Sequence, residues 1–233
     1  MSASAARLGP RSSAGASRTR PAVGAPLPRS FYARDTERVA RDLLGAILIA
    51  ETPDGVASGR IVETEAYLGE HDGACHAAVG RTARTEWLYG EPGTAYVYFI
   101  YGAHWCVNAV TRRTGLPSAV LLRALEPIDG IALMRWRRGD DVALRDLANG
   151  PGKLCAALGI TGALNGARLD RPPLRIIPGE SVRDDDVAVT ARVGIARAVD
   201  WPLRFLVRGS PFVSRGVPGP PRRRRRTAKA AKR

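Results

Sequence analysis

Between Ala95 and Thr111 the chain reads Ala-Tyr-Val-Tyr-Phe-Ile-Tyr, then Gly102-Ala103-His104, then Trp-Cys-Val-Asn-Ala-Val-Thr. Aromatic and β-branched side chains fit a pleated, half-buried surface, and a glycine between two such runs marks a tight return, so this stretch is a β-hairpin. A second hairpin precedes it: Ala46–Ala50 and Arg60–Tyr67 flank the turn Pro53-Asp54-Gly55. Further strands are expected at Ala119–Ala124, Leu174–Ile177, Val187–Thr190 and Leu203–Val207. Helices are expected over Glu37–Leu44, capped by Asp35-Thr36 and closed by Gly45, from Pro127 to Arg138, and over Pro151–Leu158, closed by Gly159. The pattern is that of an α+β fold, a single mixed domain without internal repeats.

Both ends are unlike the middle. In residues 1–30 the large apolar side chains are Met1, Leu8, Val23 and Leu27, too few to offset the entropy of ordering, and residues 222–233 are a run of Arg, Lys and Ala. Both are read as disordered basic tails around a folded body at 31–221. The formal net charge of +14 is concentrated there, with five arginines in the first tail, eight Lys/Arg in the second and no acid in either. The body is close to neutral, so the tails explain bulk attraction to polyanions, and specific recognition must come from local placement. No membrane or secretory segment is read, which gives the expectation of an intracellular protein: cytoplasmic and nucleoid-associated in a bacterium, nuclear in a eukaryote. The cysteines Cys75, Cys106 and Cys155 lack metal-type spacing, so neither a metal nor a disulfide framework is expected.

The candidate chemistry lies between Glu63 and Asn108. A carboxylate beside aromatic faces can activate a water while the faces grip a flat, cationic ring, and a base extruded from duplex DNA is such a ring. Glu65 is the candidate base, and a single carboxylate suffices when the leaving group is an alkylated purine already carrying positive charge. The alternative is that Glu63 and Glu65 form a solvated strand face. Tyr67, His76 and Tyr98 line a stacking slot, or else are hairpin packing. Tyr101 at the hairpin tip either wedges between base steps or folds back onto the sheet. Asn108 is placed to press its amide against a base edge and reject a 2-amino group. Arg123, a guanidinium inside the apolar run Val120–Leu125, requires a partner, either Glu65, a water or a phosphate, or a structural bridge to Glu126 or Asp129. Gly150-Pro151-Gly152-Lys153 at a helix start offers a phosphate contact through Lys153. A non-catalytic nucleic-acid binder relying on its basic tails is the competing reading.

Together these segments resemble the alkyladenine (3-methyladenine) DNA glycosylase family, aromatic-hairpin type. The resemblance rests on Arg60–Gly69, Pro92-Gly93-Thr94, Tyr96–Tyr98, Ile100–Gly102, Leu121–Pro127, Gly150–Cys155, Ala191–Gly194, Leu203–Phe205 and Arg208–Pro211, in order over roughly residues 37–214. It implies one mixed α/β domain with a curved, largely antiparallel sheet and a protruding DNA-inserting hairpin. It implies a monofunctional enzyme that flips alkylated or deaminated purines of the 3-methyladenine, 7-methylguanine and hypoxanthine class from duplex DNA and leaves an abasic site. Glu65 then resembles the general base, with Arg123 and the Val193 carbonyl holding the water. Tyr67, His76 and Tyr98 resemble the stacking pocket, Tyr101 the intercalating wedge and Asn108 the guanine-excluding residue. A monomer without metal or cofactor, acting on double-stranded DNA that contains damaged purines, is expected. The tip Ala103-His104-Trp105 and the loop Arg81–Glu91 depart from the family pattern.

Overall fold

One long strand organises the molecule. The computed structural model describes residues 24–216. In it β2 (Gly55–Tyr67) follows β1 (Ile47–Thr52) through the expected turn and pairs with it antiparallel, from Thr52↔Gly55 to Ile47↔Arg60. The other edge of β2 carries β5 (Ala119–Asp129) along almost its full length. Beyond the end of β1, the edge of β2 is taken over by β9 (Arg204–Val207), which covers Glu63, Thr64 and Glu65. β3 (Ala95–Ile100) and β4 (His104–Val110) form the aromatic hairpin, and β4 joins the sheet against β5. β6 (Asp170–Arg171) and β7 (Leu174–Ile177) extend the sheet beyond β1, and β8 (Val187–Thr190) pairs with β9. All pairings are antiparallel, and the expected α+β class with a largely antiparallel sheet is what the chain adopts.

The β2–β5 ladder is irregular around Glu63. Ile61 faces Leu125 and Glu63 faces Ala124, so Val62 is skipped; Thr64 then faces Leu122, so Arg123 is skipped in turn. A residue left out of the ladder has its side chain re-aimed. The two irregularities fall on opposite strands and cancel, which restores the pairing for Glu65↔Leu121 through Tyr67↔Ala119.

Among the described residues, four α-helices accompany the sheet: α1 (Arg29–Tyr32), α2 (Thr36–Asp42), α3 (Ile131–Arg138) and α4 (Pro151–Leu158). Asp35 caps α2 by accepting from the Glu37 N–H, and Pro151 opens α4 while Gly159, at φ 72°, closes it. Val39, Leu43 and Leu44, Leu154 and Leu158, and Met134 fill the core with Leu48, Ile61, Leu122 and Leu125.

Two expectations need correction. The helix placed from Pro127 begins only at Ile131: β5 runs on to Asp129, and Pro127 sits opposite Gly59 next to a register shift, where a strand tolerates a residue without an N–H. Gly130, at φ 71°, then makes the turn into α3. The N-terminal boundary also moves. Leu27 is buried and its N–H donates to the Ile176 carbonyl at 2.8 Å, so ordered packing starts before residue 31. The remaining tail expectations, for residues 1–23 and 217–233, lie outside the described residues, as does the end of the expected body at 221.

Candidate active site

Glu63 and Glu65 are both fully buried, so the solvated-face alternative is excluded; β5 and β9 cover both edges of β2 at this point. Glu65 Oε1 accepts the Val193 N–H at 2.7 Å, and Oε2 accepts the Tyr67 hydroxyl at 2.9 Å and Arg123 Nη1 at 3.2 Å. Burial pushes the Glu65 carboxyl above the usual carboxylate range, opposed by Arg123, the Val193 N–H and the Tyr67 hydroxyl. An ionised carboxylate offers about four acceptor directions. Three are occupied, and the remaining one is on Oε1.

Arg123 has a richer set of partners than the sequence suggested. Neither Glu126 nor Asp129 holds it; its Nε donates to Glu63 Oε1 at 2.9 Å and its Nη2 to Ser214 Oγ at 3.2 Å. Glu63 also accepts from Arg204 Nε at 2.7 Å, from Ser214 Oγ at 2.8 Å and from the Ser214 N–H at 2.5 Å. Two carboxylates and two guanidiniums thus compensate one another away from water, as buried charges must.

The loop that follows β2 is folded around a second buried pair. Asp72 accepts from Arg192 Nη1 and Nη2 at 2.5 and 2.8 Å, and from the N–H groups of Leu68 and Ala74. Arg192 also donates to the Ala66 carbonyl at 3.0 Å and lies 4.7 Å from the Tyr67 ring centroid, a cation–π contact that fixes this aromatic. The loop is therefore anchored to the core despite its many polar residues. Cys75, Ala77 and Leu88 are buried with Tyr96, Val110 and Ala119.

In front of Glu65 opens a cavity of about 720 Å³. Tyr67, His76, Tyr98, Tyr101, Asn108, Arg123, Lys153 and Val193 all line it, and Glu65 sits immediately behind them. His76 and Tyr98 are neighbours rather than opposite walls, with centroids 4.4 Å apart in an edge arrangement, so no ring fits between these two. His76 Nδ1 is 2.9 Å from the Tyr96 hydroxyl, and burial followed by the nearby Arg84 lowers its pKa, which favours the neutral imidazole. Asn108 is buried and donates Nδ2 to the Tyr96 carbonyl at 3.0 Å, which orients its amide. Lys153, which also lines the cavity, donates to Asn149 Oδ1 at 2.7 Å. Tyr101, 76% exposed, stands at the hairpin tip in the left-handed region at φ 56°, followed by Gly102 at φ 66°. It does not fold back onto the sheet.

Residue reading had not singled out Glu63, Arg204, Ser214, Asp72, Arg192 or Tyr96 as parts of this site. Arg204 carried a usable signal, since it lies in Leu203-Arg204-Phe205-Leu206-Val207 and poses the same problem as Arg123. Ser214 and Asp72 carried none, because each is brought in by a long-range contact. Among the described residues, no group of three His, Cys, Asp or Glu is placed to hold a metal ion, and no helix is long and apolar enough to cross a membrane.

Comparison with known proteins agrees with this geometry. A family profile described as methylpurine-DNA glycosylase matches residues 30–211. A Myxococcus xanthus protein provisionally named 3-methyladenine DNA glycosylase is 50% identical over 195 residues, covering 82% of this chain and 95% of that protein. Relatives with the same provisional name from Methanocella arvoryzae and Salinibacter ruber are each 48% identical, over 201 and 205 residues, covering 83% of this chain and 98% of their own length. With a carboxylate buried behind an aromatic cavity and similarity running along nearly the whole described domain, the chain belongs to the methylpurine-DNA glycosylase family and is a DNA glycosylase of DNA repair.

Proposed function

We propose that this enzyme flips alkylated or deaminated purines out of duplex DNA into the cavity before Glu65 and hydrolyses the N-glycosidic bond there, leaving an abasic site. The observation that carries the reading is a buried carboxylate, Glu65, held by three residues that line the cavity, Tyr67, Arg123 and Val193, with a single donor on its Oε1. A water donating to that oxygen is oriented and deprotonated as it attacks C1′ of the deoxyribose, and the carboxylate's negative charge stabilises the oxocarbenium-like transition state. The base departs with the electron pair of the glycosidic bond. Lesions such as 3-methyladenine and 7-methylguanine leave as neutral purines; hypoxanthine, uncharged in the duplex, belongs to the same substrate class and takes a proton from solvent as it leaves.

The pocket suits a cationic or electron-poor ring. Tyr67 from β2 and the His76–Tyr98 pair all line the cavity, and the base stacks against these aromatic faces. A neutral His76 does not repel a positive base. Asn108, held by the Tyr96 carbonyl, excludes the 2-amino group of unmodified guanine. Tyr101 fills the gap left in the duplex, Lys153 contacts a backbone phosphate, and the protein acts as a monomer, its basic tails adding salt-sensitive background affinity.

The decisive variant is Glu65→Gln, assayed by single-turnover base release from a duplex carrying one 3-methyladenine or hypoxanthine. Binding of the lesion duplex is retained and release falls by at least about 10³-fold, within the range for loss of a positioned base together with transition-state charge stabilisation. Full release by this variant removes Glu65 from the role.

A further inference from the structure

Neither Glu63 nor Glu65 lines the cavity directly, and both are bonded to the same guanidinium, which does. All contacts of Glu63 are protein contacts: Oε1 accepts from Arg123, Arg204 and Ser214, and Oε2 accepts the Ser214 N–H. It is not itself a base for the substrate. Its effect falls on Arg123. A guanidinium free to choose forms a two-pronged pair with one carboxylate, occupying both oxygens. Here Nε is committed to Glu63 and Nη2 to Ser214, so Glu65 receives one N–H, on Oε2 only.

Resting on the assignment of Glu65 as the base, we propose that Glu63, balanced by Arg204, is a positioning residue that divides Arg123 between two carboxylates and thereby keeps Glu65 Oε1 open to the attacking water. The placement of Arg123 outside the β2–β5 ladder is what lets one side chain reach both acids. Arg204 sets the strength of the competition: because it shares the charge of Glu63, Arg123 is not drawn wholly away from Glu65.

The charged and titratable groups around Glu65 are Glu63 and Tyr67 from β2, Arg123 from β5, Arg204 from β9, Arg192 after β8, and Tyr98 and Cys106 from the hairpin. Among them Glu63 opposes ionisation of Glu65 and Arg123 favours it. Removing the charge of Glu63 therefore lets Arg123 close on Glu65, which becomes more acidic and a weaker base. Removing Arg204 turns Arg123 toward Glu63 and has the opposite effect on Glu65.

The experiment compares single-turnover release against pH for the full-length wild type, Glu63→Gln and Arg204→Gln on one hypoxanthine duplex, with duplex affinity measured in parallel. For Glu63→Gln the acid limb moves down by roughly 0.5–1 pH unit and the plateau rate falls about 3–10-fold, with affinity unchanged. For Arg204→Gln the limb moves up by a similar ~0.5–1 unit. Opposite directions are not produced by general loosening of the fold, and either folded variant alone decides its own direction. Limbs that stay in place or move together overturn the proposal, as does a wild-type profile for Arg204→Gln when Glu63→Gln does not fold. Glu65→Gln run alongside separates the cases. Full release there defeats the general-base assignment, whereas an inactive Glu65→Gln with unmoved limbs in the other two defeats only the role of Glu63.

Discussion

The backbone N–H of Val193 donates to Oε1 of Glu65 at 2.7 Å, joining the segment after β8 to the C-terminal end of β2. The sequence resemblance points to the Val193 carbonyl as a holder of water, whereas the contact the structure makes with Glu65 comes from the N–H of that residue. Because the bond comes from the main chain, it does not depend on which side chain residue 193 carries. It fixes one lone pair of Oε1 and so defines the direction in which the other points.

The pH dependence of release follows from this environment. A base works only when ionised, and burial raises the Glu65 carboxyl above its ordinary 4.5. Activity is therefore full at high pH and is lost as pH falls through the raised value. The acid limb of the single-turnover rate lies above 4.5. A limb at or below that value contradicts the assignment.

Replacing Arg123 tests the opposing influence. In Arg123→Ala both Glu63 and Glu65 lose a buried cation, which costs about 3–5 kcal/mol of stability, read as a shifted denaturant midpoint. Any residual activity has an acid limb at higher pH than the wild type, since an influence favouring the carboxylate is gone. Arg123→Lys restores one charge but cannot reach both acids with a planar fork, so it recovers stability better than rate.

Tyr101 sets a strained backbone against the wedge role proposed for its side chain. Its left-handed backbone at φ 56° is unfavourable for a tyrosine. In Tyr101→Gly, relief of roughly 1 kcal/mol of strain is offset by glycine's greater freedom in the unfolded chain, so Tm holds within about 2 °C. Lesion-duplex affinity nevertheless drops about 10-fold, on the order of one lost base–aromatic contact. Unaltered affinity removes the wedge role.

Asp72→Asn breaks a buried pair outside the reacting groups. Burial alone would raise the Asp72 carboxyl, but the Arg192 bonds and the Leu68 and Ala74 N–H groups hold it below its ordinary 3.8. The stability from this depressed pKa is present above the unfolded value and disappears as pH falls through the folded one. Asp72→Asn lowers stability at pH 7 by about 3 kcal/mol or more, and the gap to wild type narrows once acid protonates Asp72. A constant gap across that range excludes the ion pair as its source.

Local signals made much of the fold legible. The cap at Asp35, the turn at Pro53-Asp54-Gly55, the Pro151–Gly159 brackets and the aromatic hairpin each depend on residues close in sequence, and each lies where those residues place it. Pro127 misled because a proline marks a helix start or an irregular strand equally well, and only the partner strand decides. In the site, the unusual residues were visible as unusual: Arg123 in an apolar run and Glu65 beside tyrosines. Their partners were not. Whether Arg123 meets Glu126 or Glu63 depends on strand pairing between segments some sixty residues apart, and Ser214 reaches Glu63 across 151 residues. The face of β2 likewise could not be judged solvated or buried until β9 was seen along its edge.

The skipped residues Val62 and Arg123 have a consequence for how this site can change through insertion and deletion. Losing either residue alone would leave the other irregularity uncompensated, with one strand a residue longer than its partner between Ile61↔Leu125 and Glu65↔Leu121 and the ladder bent there. Losing both would leave a regular ladder and a sheet able to close, but without the guanidinium that serves the two acids. The strands can therefore gain or lose length at their far ends, whereas this stretch tolerates only paired changes in length, and the spacing between the carboxylates and the arginine is inherited as a unit.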